Sequence, residues 1–213
     1  MSAPPSATAQ VTAPGEISCP SQAPSVSWSF SALSGRLLEV GSYGRRREGS
    51  ASLTMVAEVL HQAQTFGAAT AWIRARDSLF LPADMAAFGL DLQALALLTA
   101  SGPTVAARMA DRLLHSGAFG AVVLDLPPDS RLTTAIASRL AALARHHRAV
   151  VILLAESERP ERASTPMVSL RAETFARPLR SGLYQCGLRA LRDKRGAPGW
   201  TTENKYRAPA GLR

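Results

Sequence analysis

Along residues 35–199, continuous apolar runs alternate with segments in which apolar residues recur every three or four positions. The runs predict strands buried on both faces, and the periodic segments predict helices with one buried side. Predicted strands cover residues 35–41, 69–75, 93–99, 120–126 and 148–156, and predicted helices cover residues 50–67, 82–89, 102–117 and 131–147. Residues 167–178 and 183–199 predict an antiparallel pair at one edge. Alternating strands and helices predict an α/β fold with a mostly parallel sheet.

The two ends of the chain differ in composition from the middle. Residues 1–26 are rich in Pro, Ser, Ala and Thr, and such a segment buries too little apolar surface to offset the entropy of ordering. We therefore predict a disordered N-terminal tail over residues 1–26 and a core domain over residues 27–200. Residues 201–213 predict a flexible basic C-terminal tail.

Apolar runs and cysteine positions restrict the class of protein. No run approaches 18 consecutive apolar residues, and the N-terminus lacks the charged start and apolar centre of a secretion signal. Cys19 and Cys186 lie far apart in the sequence, without the spacing of a zinc site. We therefore expect a cytoplasmic protein that has no membrane span and holds no metal ion.

The chain is strongly basic. Its formal net charge is +8, and of its 24 Lys and Arg residues only Lys194 and Lys205 are lysines. Guanidinium groups suit phosphate and stack on nucleic-acid bases, so this surplus favours a nucleic acid or an acidic protein as the partner. General solubility and the composition of the source genome are the alternatives.

The stretch EVGSYGRRREGSASLT has the glycine spacing of a phosphate-binding loop. Gly44 and Gly49 are separated by four residues and lie between a predicted strand and a predicted helix. A working loop continues with a Lys that reaches the β- and γ-phosphates and a Ser or Thr that binds Mg²⁺. Here Ser50 and Ala51 occupy those two positions, and the hydroxyl of Ser52 lies one residue too late.

Asp125 closes the strand predicted over residues 120–126, at the edge of the sheet where the glycine loop also lies. A carboxylate in this place binds Mg²⁺ when a lysine and a hydroxyl complete the site. Because both are missing, we favour a structural interpretation in which Asp125 caps backbone donors at the strand end.

Three segments resemble, in order, the ATP-binding core of RecA-family recombinases. Residues 34–76 resemble the first strand, phosphate loop, helix and second strand, residues 109–126 resemble the Walker B segment, and residues 187–199 (GLRALRDKRGAPG) resemble a late strand with its basic turn. The resemblance covers residues 28–200. It implies a RecA-like, P-loop NTPase-like sheet flanked by helices, truncated, with an antiparallel C-terminal edge.

The chain departs from that family at its chemical positions. Ala75 and Arg76 stand where the family carries an Ala followed by a catalytic Glu, and Glu156 stands where it carries a switch Gln. The segments that correspond to the mobile DNA-binding loops are short, at residues 127–131 and 157–166. Because the positions that bind and activate ATP are changed, we expect no enzymatic activity and no nucleotide cofactor.

A short RecA-like core with a degenerate ATP site resembles the ImuA-type accessory factors of DNA-damage-induced (SOS) mutagenesis. This resemblance implies a non-catalytic adaptor whose partners are RecA and an ImuB-like Y-family polymerase homologue, with single-stranded DNA as a further candidate ligand. Two alternatives stay open: a SulA-like inhibitor of cell division, and an ATP-independent module that binds single-stranded DNA.

Three groups of residues are candidate contacts for a partner or a nucleic acid. They are Arg45, Arg46 and Arg47 in the glycine loop, Arg189, Arg192, Lys194 and Arg195 in the late basic turn, and Trp28 and Phe30 before the first strand. In the resembling family the basic turn reaches across a subunit interface to the neighbour's ATP, and Arg192 and Lys194 match its two basic positions. Solvated loops, and packing of Trp28 and Phe30 on their own domain, are the alternatives.

Residues 93–98 (QALALL) show a faint similarity to sliding-clamp-binding peptides. Because the apolar run is continuous, we favour a buried strand for this segment. The four histidines have no carboxylate or cysteine at ligand spacing, which argues against a metal site.

Overall fold

The computed structural model describes residues 28–43, 49–76, 78, 80–157 and 164–207. The helices are α1 (Phe30–Leu33), α2 (Ser52–Thr65), α3 (Pro82–Ala87), α4 (Pro103–His115) and α5 (Thr134–His147). The strands are β1 (Arg36–Tyr43), β2 (Ala69–Arg74), β3 (Leu95–Thr99), β4 (Phe119–Asp125), β5 (Val150–Ser157), β6 (Leu170–Pro178), β7 (Leu183–Asp193) and β8 (Thr201–Arg207). Short 3₁₀ turns cover Leu92–Ala94 and Arg180–Gly182.

The strands form one mixed sheet in the order β3-β2-β4-β5-β1-β6-β7-β8. Strands β1 to β6 are mutually parallel, whereas β7 runs antiparallel to β6 and β8 runs antiparallel to β7. The α/β fold, the mostly parallel sheet and the antiparallel β6–β7 pair are therefore confirmed. In such a sheet the carboxyl ends of β1, β4 and β5 meet at one edge, which is where ligand sites of open α/β sheets form.

Helices cover both faces of the sheet. On one face, α2 buries Met55 and Leu60 against a layer that includes Trp72 of β2. On the other face, Leu114 of α4 and Leu140 of α5 pack in a second buried cluster. Burying a side chain of this size stabilises the fold by about 1.5–3 kcal/mol, so the two layers fix the positions of the strand ends and the loops that follow them.

Local sequence signals set where the helices begin and end. Helix α4 begins at Pro103, where a missing backbone N–H removes no helical hydrogen bond. The side chain of Thr133 caps α5 by accepting a hydrogen bond from the N–H of Ile136. Arg148 ends α5 in the left-handed conformation, with φ of 55°.

A buried ion pair joins the first strand to the antiparallel edge. The guanidinium of Arg36 in β1 pairs with the carboxylate of Asp193 at the end of β7, and their side chains are 1% and 0% exposed. Arg36 also donates to the side chain and the carbonyl oxygen of Ser169. Asp193 accepts further bonds from the N–H of Arg195 and the indole of Trp200. Although burial opposes ionisation, these donors hold the pKa of Asp193 below its ordinary value.

A second buried network lies at the centre of β1. Glu39 accepts hydrogen bonds from the Nε of Arg171 at 2.8 Å, the hydroxyl of Tyr43 at 3.0 Å and the N–H of Ser164 at 2.7 Å. The guanidinium of Arg171 also lies 4.3 Å from the centre of the Tyr43 ring. Burial, reinforced by the charge of Glu39, raises the pKa of the Tyr43 hydroxyl. These contacts fasten β1 to β6.

Two predictions about the ends of the chain have different outcomes. The predicted flexible tail over residues 201–213 is wrong for its first half, because Thr201–Arg207 forms β8 and pairs along β7. The sequence TTENKYR lacks an apolar run since β8 is an edge strand that is mostly exposed. The predicted disordered tail over residues 1–26 lies outside the described residues, as do residues 208–213.

The apolar segment at residues 93–98 also differs from its prediction. Its first part belongs to the 3₁₀ turn, and its second part is β3, an edge strand that pairs on one side with β2. Leu97 is 40% exposed. The strand itself is present, but it lies at the edge of the sheet and only Leu95 among its residues is buried.

Candidate functional site

A cavity of about 1100 Å³ opens at the carboxyl-end edge of the sheet. Its walls include Ser50 and Ser52 at the start of α2, Asp125 after β4 and Glu156 near the end of β5. The structure therefore brings together the start of the helix that follows the glycine loop, the Walker B-type Asp125 and Glu156, as the sequence predicts. Gly44, Arg45, Arg46 and Arg47 lie outside the described residues.

The last glycine of the loop is paired to the sheet through both of its peptide groups. The N–H of Gly49 donates to the carbonyl oxygen of Ala176 at 3.1 Å, and the N–H of Ala176 donates to the carbonyl oxygen of Gly49 at 2.8 Å. A phosphate-binding loop instead turns such N–H groups towards the phosphates. The N–H of Gly49 is therefore already used inside the protein.

A chain of hydroxyl groups continues from this contact. The Oγ of Ser50 lies 2.9 Å from the Oγ of Ser52, which in turn lies 2.9 Å from the Oγ1 of Thr174 on β6. Thr174 donates to the carbonyl oxygen of Gly41 at 3.3 Å. The Ser52 hydroxyl is buried and held by protein partners, so it acts as a joint between α2 and β6.

Asp125 is held by side chains rather than by backbone donors. Its Oδ2 accepts hydrogen bonds from the indole Nε1 of Trp72, at 3.2 Å, and from the hydroxyl of Ser78. The prediction that Asp125 caps backbone N–H groups is therefore wrong in its partners, since the donors come from Trp72 and Ser78. Ser78 also accepts a bond from the N–H of Phe80, which ties the segment after β2 to this corner.

The charges in the cavity do not match a nucleoside triphosphate. Among the described lining residues, Asp84, Asp125 and Glu156 are carboxylates and Arg207 is the one cation. A triphosphate needs a lysine at its β- and γ-phosphates and a free hydroxyl on Mg²⁺. Ser50 brings no positive charge, so the described lining lacks the lysine that a bound triphosphate needs.

Strand β8 forms one side of the cavity. Tyr206 donates from its hydroxyl to Glu58 of α2 at 2.9 Å, and its ring centre lies 5.6 Å from that of Phe88. Burial is the main reason that the pKa of Glu58 is raised, and burial likewise raises the pKa of Tyr206 to about 12. The contact fixes the end of β8 against α2 and α3, which places Arg207 at the cavity.

The basic turn at the end of β7 contains cations that bind other parts of the protein and one whose side chain has no partner among the described residues. Arg195 donates to the carbonyl oxygens of Ser34 and Gly35, and Arg189 pairs with Glu173 at 2.9 Å. Lys194 donates to the carbonyl oxygen of Pro166 at 2.8 Å. Arg195 and Arg189 therefore serve the fold as well as the surface.

Arg192 differs from the other cations of this turn. It is exposed, and its guanidinium makes no hydrogen bond or ion pair with any of the residues the structure describes, although its backbone pairs with β6. Burial of Lys194, followed by the charge of Arg192, lowers the pKa of the Lys194 ammonium. All four predicted contact residues of the turn are exposed, and Arg192 is the one whose guanidinium pairs with no described residue.

The two aromatic residues before β1 pack on α2 of their own chain. Trp28 is 5% exposed and its Nε1 donates to the carbonyl oxygen of Met55 at 2.9 Å. The N–H of Phe30 donates to Gln62, and its ring lies 6.0 Å from that of Phe66. Their packing on the same domain, an alternative in the sequence interpretation, is the observed arrangement, and Phe66 is the exposed ring of this group at 71%.

Several cavity residues were not predicted from the sequence. Ser78 follows β2 at the same edge as Asp125, so its position after a strand was an available signal. Tyr206 and Arg207 carried no such signal, and neither did Glu58, the partner of Tyr206, because their contacts depend on β8 folding back along β7.

Two sequence comparisons add no relative to this geometry. Family models gave no match to the chain, and the search of curated proteins found no similar sequence. In the described part of the chain, no helix is both long enough and apolar enough to cross a membrane. The described residues also contain no group of three or more His, Cys, Asp or Glu side chains placed to hold a metal ion.

Proposed function

We propose that this chain is a non-catalytic RecA-like adaptor of DNA-damage-induced (SOS) translesion mutagenesis, which binds RecA and an ImuB-like Y-family polymerase homologue. The proposal is supported by the order of the elements around the cavity. Strand β1 leads through the glycine segment into α2, β4 ends at Asp125, and both reach the same edge of a mostly parallel sheet. This order agrees with the resemblance of residues 28–200 to a RecA-family core.

The observation that carries the non-catalytic part is the pairing of Gly49 with Ala176. In this pairing the N–H of Gly49 donates to β6, and Ser50 follows at the position where the family has its lysine. A site of this kind has lost both the backbone donor and the cation that stabilise a transferring phosphoryl group. The adaptor therefore acts by binding alone, without turnover of ATP.

The basic turn is the proposed contact with RecA. Arg192 is free of partners among the described residues, and Lys194 beside it is held only by a carbonyl oxygen. In the resembling family the same turn reaches a neighbour's ATP, so a RecA subunit that carries ATP offers the matching anion. Charge-assisted bonds to phosphate are short and strong, which suits a docking contact.

A pull-down tests this function directly. The tagged protein is presented in parallel with RecA plus ATP, with the ImuB-like polymerase homologue, and with FtsZ, the division protein targeted by SulA-like inhibitors. We expect retention of RecA and of the polymerase homologue. The R192E/K194E variant is expected to lose RecA, and the R131E/R180E variant makes the same change of charge at exposed arginines elsewhere.

The outcomes separate the candidate functions. Retention of FtsZ without RecA would favour the division-inhibitor alternative. Tight binding of labelled single-stranded DNA that falls steeply with added salt would favour the nucleic-acid alternative, because each phosphate contact releases counterions. Equal loss of RecA in R192E/K194E and R131E/R180E would mean that general charge, rather than the turn, makes the contact.

A further inference from the structure

The cavity at the carboxyl-end edge has largely apolar walls. Leu53 of α2, Met85 of α3 and the neighbouring Phe88 line one part, and Leu126 and Leu154 line the side nearest the strands. Apolar surface of this kind favours a ligand that removes it from water, at about 25 cal/mol per Å². A volume of about 1100 Å³ is at or above the upper end of the usual range for small-molecule pockets.

The described lining of the same cavity carries more carboxylates than cations. Asp84 and Glu156 are exposed, and neither forms an ion pair with a described residue. Asp125 is held by neutral donors, the indole of Trp72 and the hydroxyl of Ser78. Arg207 is the single cation against these three carboxylates in the described lining. The charges of the described lining therefore favour a cation over a phosphate group.

We propose that this cavity binds a short segment of a partner protein in which an arginine or lysine side chain stands between apolar residues. The segment's cation lies against Asp84, Asp125 and Glu156, and its apolar side chains cover Leu53 and Phe88. The inference rests on the proposed adaptor function, because it assigns to a protein segment the place that a nucleotide holds in an ATPase. The three carboxylates are complementary in charge to an arginine or lysine side chain, whereas a triphosphate is negatively charged like the carboxylates.

Strand β8 shapes the entrance for such a segment. The bond from Tyr206 to Glu58 and the stacking of Tyr206 near Phe88 hold the wall in place before anything binds. A wall that is already ordered loses little conformational entropy on binding, which favours a short ligand. The cavity is therefore a preformed groove rather than a surface that must rearrange.

Fluorescence polarisation with three labelled pentapeptides tests the proposal on the whole chain. The probes are Gly-Leu-Arg-Leu-Gly, Gly-Leu-Glu-Leu-Gly, which reverses the charge, and Gly-Ser-Arg-Ser-Gly, which removes the apolar side chains. We expect saturable binding of the first peptide, at least about tenfold tighter than that of either control. Both the cation and its apolar neighbours are needed for this result.

Variants then locate the binding on the protein. E156K and D84K each reverse one exposed carboxylate in the cavity, and each is expected to weaken the arginine peptide about fivefold or more. E203K makes the same change on β8, at an exposed position outside the cavity, and is expected to change binding less than about twofold. Thermal melts of all three variants show that the fold is kept.

Each result supports or overturns the assignment. Absence of saturable binding by Gly-Leu-Arg-Leu-Gly, equal binding of the glutamate peptide, or an effect of E203K as large as that of E156K would overturn it. Failure of the peptides while RecA is still retained in the pull-down removes this inference and leaves the adaptor function. Peptide binding without retention of RecA or the polymerase homologue keeps the groove and rejects those partners.

Discussion

The N–H of Gly49 donates to the carbonyl oxygen of Ala176 at 3.1 Å, and Ala176 returns a hydrogen bond at 2.8 Å. This two-bond bridge joins the end of the glycine loop to β6 instead of leaving it open to a ligand. The hydroxyl chain from Ser50 through Ser52 to Thr174 fixes the same junction. The start of α2 is therefore held by the protein's own groups, at the point where a phosphate-binding loop would hold phosphate.

We expect no thermal stabilisation by Mg-ATP. A ligand present at 100 times its Kd adds about 2.7 kcal/mol to the free energy of unfolding, which is a rise in Tm of about 5–10 °C for a domain of this size. Differential scanning fluorimetry with millimolar Mg-ATP is expected to show no such rise. The S50K/A51T variant, which restores both side chains, is also expected to show none, because the N–H of Gly49 stays paired. A rise of several degrees in the unaltered protein would contradict this prediction.

The G49A variant is expected to fold with normal stability. A Cβ at Gly49 would meet the Cβ of Ala176 at 3.6 Å, an ordinary van der Waals distance. The free energy of unfolding, measured with urea, should therefore change by less than about 1 kcal/mol. In a working phosphate loop, the same glycine is needed for close approach of the phosphate.

G187A is the matched control for this substitution. A Cβ there would lie 2.5 Å from the carbonyl oxygen of Thr202 and 2.6 Å from the ring of Phe175. We expect a loss of about 1–3 kcal/mol from overpacking, with β8 displaced from β7. Equal stability of G49A and G187A would contradict the difference in free space between these two positions.

The ion pair of Arg36 with Asp193 is expected to be the most sensitive charged contact of the fold. In D193N the Arg36 guanidinium keeps its charge inside the protein without a counter-charge, which costs about 3–5 kcal/mol in urea unfolding. D111N removes the half-buried partner of Arg139 instead, where the arginine side chain is 65% exposed, and should cost much less because water screens that pair. Similar losses in D193N and D111N would contradict the burial of the first pair.

The Asp193 contribution should also depend on pH in a defined direction. Its pKa is lowered in the folded protein, so its stabilisation is complete above the ordinary Asp value of about 3.9. As the pH falls below that value, the carboxylate becomes protonated in the folded state and the stabilisation is lost. The difference between the unaltered protein and D193N should therefore shrink below about pH 4, as followed by urea unfolding at successive pH values.

Glu58 should show the opposite dependence. Because burial raises its pKa, the folded protein takes up a proton at a higher pH than the unfolded chain, and ionised Glu58 opposes folding at neutral pH. The stability of E58Q relative to the unaltered protein should be greatest near pH 7 and should fall towards pH 4, near the ordinary Glu value of about 4.3. E203Q, at an exposed position, serves as the control. A flat difference for E58Q in urea unfolding would contradict this prediction.

Much of the fold follows from periodicity alone. The runs that became β4 and β5 are apolar at nearly every position, because strands in the middle of a parallel sheet are buried on both faces. The segment that became α2 repeats its apolar residues at helical spacing and covers that sheet. The placement of Ser50, Ser52 and Asp125 at one edge also follows, since the carboxyl ends of parallel strands lie together.

Edge strands and contacts between distant segments could not be predicted in this way. β8 is polar because it lies at the edge of the sheet. Its seven residues therefore have the composition of a flexible tail, and only their pairing with β7 identifies them as a strand. β3 reads as a buried strand, but no further strand follows it in the sheet order. Both errors arise because burial depends on which element lies alongside, and the local pattern contains no information about that neighbour.

The sequence by itself determined the α/β class, the order of the elements and the presence of Ser50 at the position where a phosphate-binding loop has lysine. Only the tertiary structure decided that Gly49 pairs with Ala176, that Asp125 is held by Trp72, and that β8 closes a cavity rich in carboxylates. The physical reason is the distance along the chain over which each kind of interaction acts. Side-chain type and spacing fix local conformation, whereas hydrogen-bond partners and the charge of a cavity depend on residues that lie far apart in the chain until it folds.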